Sequence, residues 1–158
     1  YGMRLDKGIM QYPDANSTMR LSYGRVSSLS PRDAVLLDWR TSVAGILQKE
    51  EKDSYDFSLR KDWRDMLETS PFCKRFNWNG EVDFLTDNDI TGGNSGSPVL
   101  DSRGRLIGLA FDGNKESLAS DLSYTPGYNK CVCVDIRYVL WTLDHYAGMS
   151  RIIDELGL

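Results

Sequence analysis

Residues 89–98 read Asp-Ile-Thr-Gly-Gly-Asn-Ser-Gly-Ser-Pro, and Ser97-Pro-Val-Leu100, Asp101-Ser-Arg-Gly104 and Leu106-Ile-Gly-Leu-Ala-Phe111 follow almost without a break. The last three segments spell a β-hairpin, two short apolar runs joined by turn-forming residues. The glycine-rich string ahead of the hairpin has a different character. A serine set between glycines can project its hydroxyl from a sharp turn, because glycine adopts positive φ and offers no side chain to obstruct an approaching group. A nucleophilic serine needs that exposure. It also needs main-chain N–H groups aimed at the oxygen that becomes negative in a tetrahedral intermediate. Gly93-Asn94-Ser95-Gly96 supplies both, with Ser95 as nucleophile and the N–H groups of Gly93 and Ser95 as oxyanion donors. The competing reading is a polar turn between two strands. The full string, placed directly before a hairpin, favours the nucleophile.

Outward from this point, Val82 to Val134 is a series of short β-rich runs broken by Gly, Asn, Asp and Pro, the pattern of an antiparallel barrel or sandwich. Upstream, residues 18–26 alternate loosely and predict a strand. Ser30-Pro31-Arg32-Asp33 has the chemistry of a helix start, whereas Ala34–Arg40 could equally be extended. Helices are predicted over 41–52 and 56–69, the second with Leu59, Trp63, Met66 and Leu67 on one face. Downstream, Asp135 caps a helix carrying Ile136, Val139, Leu140 and Leu143 on one side, and Gly148 stops it. Ser150 is expected to cap a last short turn through Leu156. The expected fold is mainly β with helices, in a single domain covering residues 1–158.

Composition narrows the function. A chain of 158 residues, 41% hydrophobic and 27% charged, can bury a real core and is not a disordered one. Its net charge of −4, with no run of more than two adjacent Lys/Arg, argues against nucleic acid as a partner. No apolar run approaches the ~20 residues needed to span a bilayer. The chain opens on Tyr1 without a visible signal peptide, which suggests a processed product or an excised fragment. The three cysteines leave at least one unpaired within a single chain. Cys131 and Cys133 share one face of a strand-like run, and buried packing is expected for both. The only histidine, His145, is no obvious further ligand for them, so neither metal nor cofactor is expected.

Gly-Asn-Ser-Gly-Ser-Pro resembles the Gly-Asp-Ser-Gly-Gly-Pro motif of the chymotrypsin-like serine peptidases. Asn94 stands where the digestive members carry an aspartate that pairs with a newly cut N-terminal amine, so that activation switch is not implied. Gly108–Gly113 is similar to the strand that lies beside the substrate and walls S1. Val134–Trp141 is similar to the last barrel strand running into the closing helix. A narrower group fits more of the chain. Tyr12-Pro13-Asp14-Ala15-Asn16, Arg20-Leu21-Ser22-Tyr23-Gly24, Ser30-Pro31-Arg32-Asp33, Asp89–Val99, Gly108–Asn114 and Val134–Trp141 resemble the bacterial serine dipeptidyl peptidases of the dipeptidyl-peptidase 7 and 11 family.

That resemblance implies an enzyme that releases dipeptides from free peptide N-termini, in the periplasm or at the cell surface. It makes this chain the second β-barrel of a chymotrypsin-like double-barrel fold plus a C-terminal helix, a fragment of a longer peptidase. The catalytic histidine and aspartate would lie in the absent first barrel, leaving His145 as a solvated helix residue. Asp112 would bind the substrate α-ammonium, with Phe111 on the same substrate-facing strand. Gly113 stands where the acidic-specific type 11 enzymes carry arginine, which implies an uncharged S1 and an apolar penultimate residue. Asp89, six residues before Ser95, is taken as structural. A barrel built to meet a missing partner should expose an apolar face and self-associate, so a homodimer is expected. Two alternatives stay open: a glutamyl-endopeptidase-like protease, which shares Gly-Asn-Ser-Gly-Ser-Pro, and a non-catalytic interaction domain of trypsin-like fold.

Overall fold

The strand that precedes the C-terminal helix shows how this sequence builds its sheet. Cys131–Asp135 alternates buried and half-buried residues along its length, with Cys131, Cys133 and Asp135 turned inward, as a period of two requires. The computed structural model describes residues 19–118 and 124–158. Within them lie strands β1 (Leu29–Arg32), β2 (Val35–Leu37), β3 (Arg40–Ser42), β4 (Glu81–Thr86), β5 (Pro98–Leu100), β6 (Leu106–Gly113) and β7 (Cys131–Asp135). The helices are α1 (Val43–Gln48), α2 (Lys61–Thr69), α3 (Ile136–Trp141) and α4 (Ser150–Glu155). A 3-10 turn covers Lys115–Ser117, and a π-helical turn, Thr142–Tyr146, extends α3. The molecule is thus mainly β with a few helices. None of these helices is long and apolar enough to cross a membrane.

β1 and β2 form their own hairpin, and the other five strands make one sheet in the order β3-β4-β7-β6-β5. β3 pairs antiparallel with β4, and β5 with β6. Among the described residues this sheet is open, with β3 and β5 as its edges, so the expected closed barrel is not formed by them. Both edge strands are only three residues long, too short to carry a further ladder round to the opposite edge. Two compact units divide the chain, with boundaries that fall inside strands or at their first residue. One holds residues 19–39, Leu85–Ser97 and Ala110–Cys133; the other holds Arg40–Phe84, Pro98–Leu109 and Val134–Leu158.

The first unit departs from expectation at its start. Residues 19–25 form no strand; the isolated bridge Val26 to Thr86 follows them, and side-chain and main-chain hydrogen bonds from Arg20, Ser22 and Arg25 tie the stretch to residues 87–94. The alternating side chains Met19, Leu21 and Tyr23, whose spacing predicts a strand, are exposed. The Tyr12–Asn16 string lies outside the described residues. Ser30-Pro31-Arg32-Asp33 opens no helix. Ser30 Oγ donates across the hairpin to the Val35 carbonyl at 2.9 Å, and Ala34 takes φ +60° in the turn. Proline is tolerated because, among the described residues, β1 pairs with β2 alone.

The second unit carries the main core: Val43, Leu67, Cys73, Phe76, Trp78, Val82, Trp141 and Ile153. Trp141 is fully buried and packs against Trp78 and Trp63, with ring centroids 4.6 and 5.5 Å away. Both upstream helices are shorter than predicted. Thr41 and Ser42 belong to β3, and α2 starts only at Lys61. Before it, Ser54 Oγ accepts from the Phe57 N–H at 3.2 Å, the local side-chain bonding by which serine diverts a chain from helix. The C-terminal helix follows expectation more closely. The Asp135 carboxylate accepts from the Arg137 N–H at 2.8 Å as a cap, and Gly148 turns the chain at φ +63°. Ser150 is the first residue of α4 and not its cap; its hydroxyl donates to Asp144 at 2.5 Å.

Candidate active site

Two glycines shape the turn that presents Ser95. Gly93 has φ +92° and Gly96 φ +85°, conformations that L side chains rarely adopt. Between them the main chain is tied tightly: the Asn94 N–H donates to the Thr91 carbonyl at 3.2 Å, and the Ser97 N–H to the Asn94 carbonyl at 2.9 Å. The Asn94 carboxamide oxygen accepts from the Thr91 N–H at 2.9 Å and from Arg20 Nη2 at 2.6 Å. Beyond the turn, Gly96 N–H donates to Ala110 O at 2.7 Å, and Ala110 N–H to Ser97 O at 2.8 Å. These two bonds place the turn beside β6. Ser95 is exposed, and its hydroxyl donates to the Phe111 carbonyl at 3.3 Å. Among the described residues, no backbone acceptor takes the N–H of Gly93 or of Ser95.

A cavity of about 190 Å³ opens at this point, lined among others by Thr91, Gly92, Ser95, Asp112, Gly113 and Leu118. Of the five site residues predicted, Ser95, Phe111, Asp112 and Gly113 all line it, while Gly93 stands in the turn. The Asp112 carboxylate accepts from the Gly113 N–H at 2.7 Å, which holds it at the end of β6. A Cβ added at Gly113 would sit 3.2 Å from that of Ser117. Ser117 is fixed by a polar knot that the sequence does not announce. The Lys130 N–H donates to Asn114 Oδ1 at 2.8 Å and to Ser117 Oγ at 3.1 Å, and Asn114 Nδ2 donates to the Tyr128 carbonyl at 3.0 Å. One wall of the cavity therefore rests on Asn114 and Ser117, both of which line it; Asn114 ends a string that resembles the family, whereas Ser117 carries no sequence signal beyond a polar loop.

The remaining predicted features are accounted for separately. Asp89 offers its main-chain carbonyl to Ser22 Oγ at 2.7 Å. His145, the chain's only histidine, lies in the second unit, where its ring stacks on Trp141 with centroids 6.1 Å apart. Cys131 and Cys133 are buried free thiols with sulfurs 3.6 Å apart, as the packing reading expects.

A family model described as Peptidase S46 matches residues 2–158. The chain belongs to the peptidase S46 family. Its relatives include Dipeptidyl-peptidase 7 of Porphyromonas gingivalis, 44% identical over 147 residues, with 92% of this chain and 20% of that protein covered. The Asp/Glu-specific dipeptidyl-peptidase of the same organism is 38% identical over 158 residues, covering 99% of this chain and 22% of that protein. Among solved structures, Porphyromonas endodontalis DPP11 in complex with substrate superposes with a TM-score of 0.80 at 35% identity, over 86% of this chain and 20% of that one. The S46 chain described here thus spans about a fifth of the length of the curated relatives it matches. Those relatives are dipeptidyl peptidases, and the fold is the family's.

Proposed function

We propose that this S46 chain carries the nucleophile and part of the substrate pocket of a serine dipeptidyl peptidase. One observation carries the reading: an exposed serine hydroxyl at the mouth of a cavity, on a turn whose two flanking glycines leave the Gly93 and Ser95 N–H groups available. Ser95 Oγ attacks the carbonyl carbon of the substrate's second residue. The serine proton passes to a histidine base supplied, with its orienting aspartate, by the rest of the enzyme. The Gly93 and Ser95 N–H groups receive the oxyanion. Collapse of the tetrahedral intermediate expels the amine of the shortened peptide, which takes up the proton from the histidine, and water then hydrolyses the acyl-enzyme to release the dipeptide. The base is assigned outside this chain on family resemblance.

Asp112 is assigned to the substrate α-ammonium, because a carboxylate beside the substrate strand can form a charge-assisted bond to it. Phe111 and Gly113 are assigned to the S1 wall, with an apolar penultimate residue preferred. The open sheet is read as the second barrel of a chymotrypsin-like double-barrel domain, supported by the hairpin of β5 and β6 directly after the Ser95 turn. The proposal also includes the periplasm or cell surface as location and a homodimer as assembly, both on family resemblance.

The test is made on the full-length enzyme with an active-site phosphonate and a free dipeptidyl substrate. Wild type should be labelled at Ser95 and should release dipeptides, and Ser95→Ala should lose both. Labelling at another serine, or turnover surviving Ser95→Ala, overturns the assignment. The isolated 158-residue chain, without a base, should show no measurable turnover.

A further inference from the structure

Between Thr91 and Ser95 the sequence offers one side chain, Asn94, since the other two residues are glycines. Glycines have no intrinsic preference for the geometry that sets two N–H groups side by side, so whatever fixes Asn94 fixes the turn. Its main-chain N–H and carbonyl are both used within the turn. The carboxamide oxygen accepts from Thr91 N–H and from the Arg20 guanidinium, which fills both of its lone pairs. Arg20 stands 74 positions upstream, and it does not act alone. Ser22 Oγ donates to the Asp89 carbonyl, the Asp87 N–H donates to the Arg25 carbonyl at 3.0 Å, and the Arg25 N–H donates to the Asp87 carboxylate. Gly24 lies so close that an added Cβ would meet the Asn88 nitrogen at 2.8 Å. Residues 20–25 therefore run along residues 87–94, with Arg20 at the end nearest the serine.

We propose that Arg20 is a positioning residue for the oxyanion turn. Its hydrogen bond to Asn94 Oδ1 locks the side chain that holds the Gly93 and Ser95 N–H groups in register. The proposal rests on Ser95 being the nucleophile. A guanidinium suits the task because it donates from a planar, preorganised fork. Loss of the contact should leave substrate binding nearly intact and weaken the stabilisation that appears only as the oxyanion forms.

The experiment is a double-mutant cycle in the full-length enzyme with Arg20→Ala, Asn94→Ala and the pair, all rates being expressed per site titrated by the phosphonate. Each single variant should lower kcat by about 10–100-fold with KM within a few-fold. The double variant should be no worse than the poorer single one, and Ser95 phosphonylation should slow in parallel. Arg20→Lys should recover part of the loss. Normalising to titrated sites separates this from partial unfolding, which reduces the number of sites and not the rate at each. If Arg20→Ala does not fold, Arg20→Gln with Asn94→Ala supplies the same cycle. Additive losses, a change confined to KM, or unaltered phosphonylation overturns the role of Arg20. If wild type is not labelled at Ser95, the nucleophile assignment itself has failed, which is a different result.

Discussion

Arg137 and Glu81 meet at 2.6 Å, and the same guanidinium group reaches Asp135, also at 2.6 Å. Asp135 is the buried cap of α3, and Glu81 is the first residue of β4 and a partner of Arg40, again at 2.6 Å. Two carboxylates and two arginines thus form one network where the sheet hands over to the terminal helix.

Arg137→Met keeps much of the side-chain volume and removes the charge. It leaves Asp135 and Glu81, both largely buried, without their shared partner. Exposed ion pairs contribute up to ~1 kcal/mol and breaking a buried one costs ~3–5 kcal/mol. With Arg137 itself a third exposed, a loss of about 1–3 kcal/mol is expected in urea unfolding of the protein. A loss below a few tenths would show that the network contributes nothing.

Acid should act through Glu81. Burial alone pushes its carboxyl up, but the hydrogen bonds and charges of Arg40 and Arg137 outweigh it and hold the carboxyl below the usual glutamate range. The unfolded chain then binds more protons at mildly acidic pH, so this stabilisation is present above the ordinary glutamate value and is lost as pH falls through the folded one. Glu81→Gln should flatten the fall of the urea midpoint between about pH 5 and pH 3. An unchanged slope would remove Glu81 from the acid response.

In the full-length enzyme, Asp112→Asn keeps the shape of the side chain and removes its charge. kcat/KM for free dipeptidyl substrates should drop ~10–100-fold, the ~1.5–3 kcal/mol of a hydrogen bond to a charged group. Phosphonylation of Ser95 should barely change. The deciding measurement is the ratio of rates on free and N-blocked peptides; if it survives the substitution, Asp112 does not hold the amine.

Gly113→Arg should move the preference from apolar toward acidic penultimate residues, because a guanidinium would then line the pocket. The structure adds a condition. With Ser117 Cβ only 3.2 Å from the new Cβ position, the substitution should lower overall efficiency through crowding. Ser117→Gly in the same background should recover several-fold of the loss on acidic substrates. A panel of dipeptidyl substrates differing only at the penultimate residue reads both effects, and no gain from the second change would show that Ser117 does not set the fit.

The parts of this fold legible in the sequence were those written locally. Positive φ at Gly93 and Gly96, the hairpin after them, the Asp135 cap and the Gly148 stop all depend on residues within a few positions of one another. What the sequence concealed depends on distance. Arg20 belongs to a string that resembles the family, yet its partner lies at Asn94, and no spacing rule links the two. The alternation of Met19, Leu21 and Tyr23 satisfies a strand pattern while facing outward, because alternation reports two faces and not which one is covered. Ser30-Pro31 has helix-start chemistry, but the Ser30 hydroxyl finds a cross-strand carbonyl instead. The Ser117 wall of the cavity is held by the main chain of Lys130, which leaves no mark on composition.

The aromatic packing around Trp141 also gives the molecule an internal optical label. Trp63, Trp78 and Trp141 all belong to the second unit, with each of the first two rings within 5.5 Å of the third. The remaining tryptophan, Trp39, belongs to the first. At such separations the three indoles couple electronically and share excitation, so their near-ultraviolet circular dichroism is a signature of that one unit's packing. Light therefore reports on the two halves of the chain differently: the coupled indoles follow the rigid aromatic order of one, while the other, which presents Ser95, is read through Trp39 and tyrosines such as Tyr124 and Tyr128.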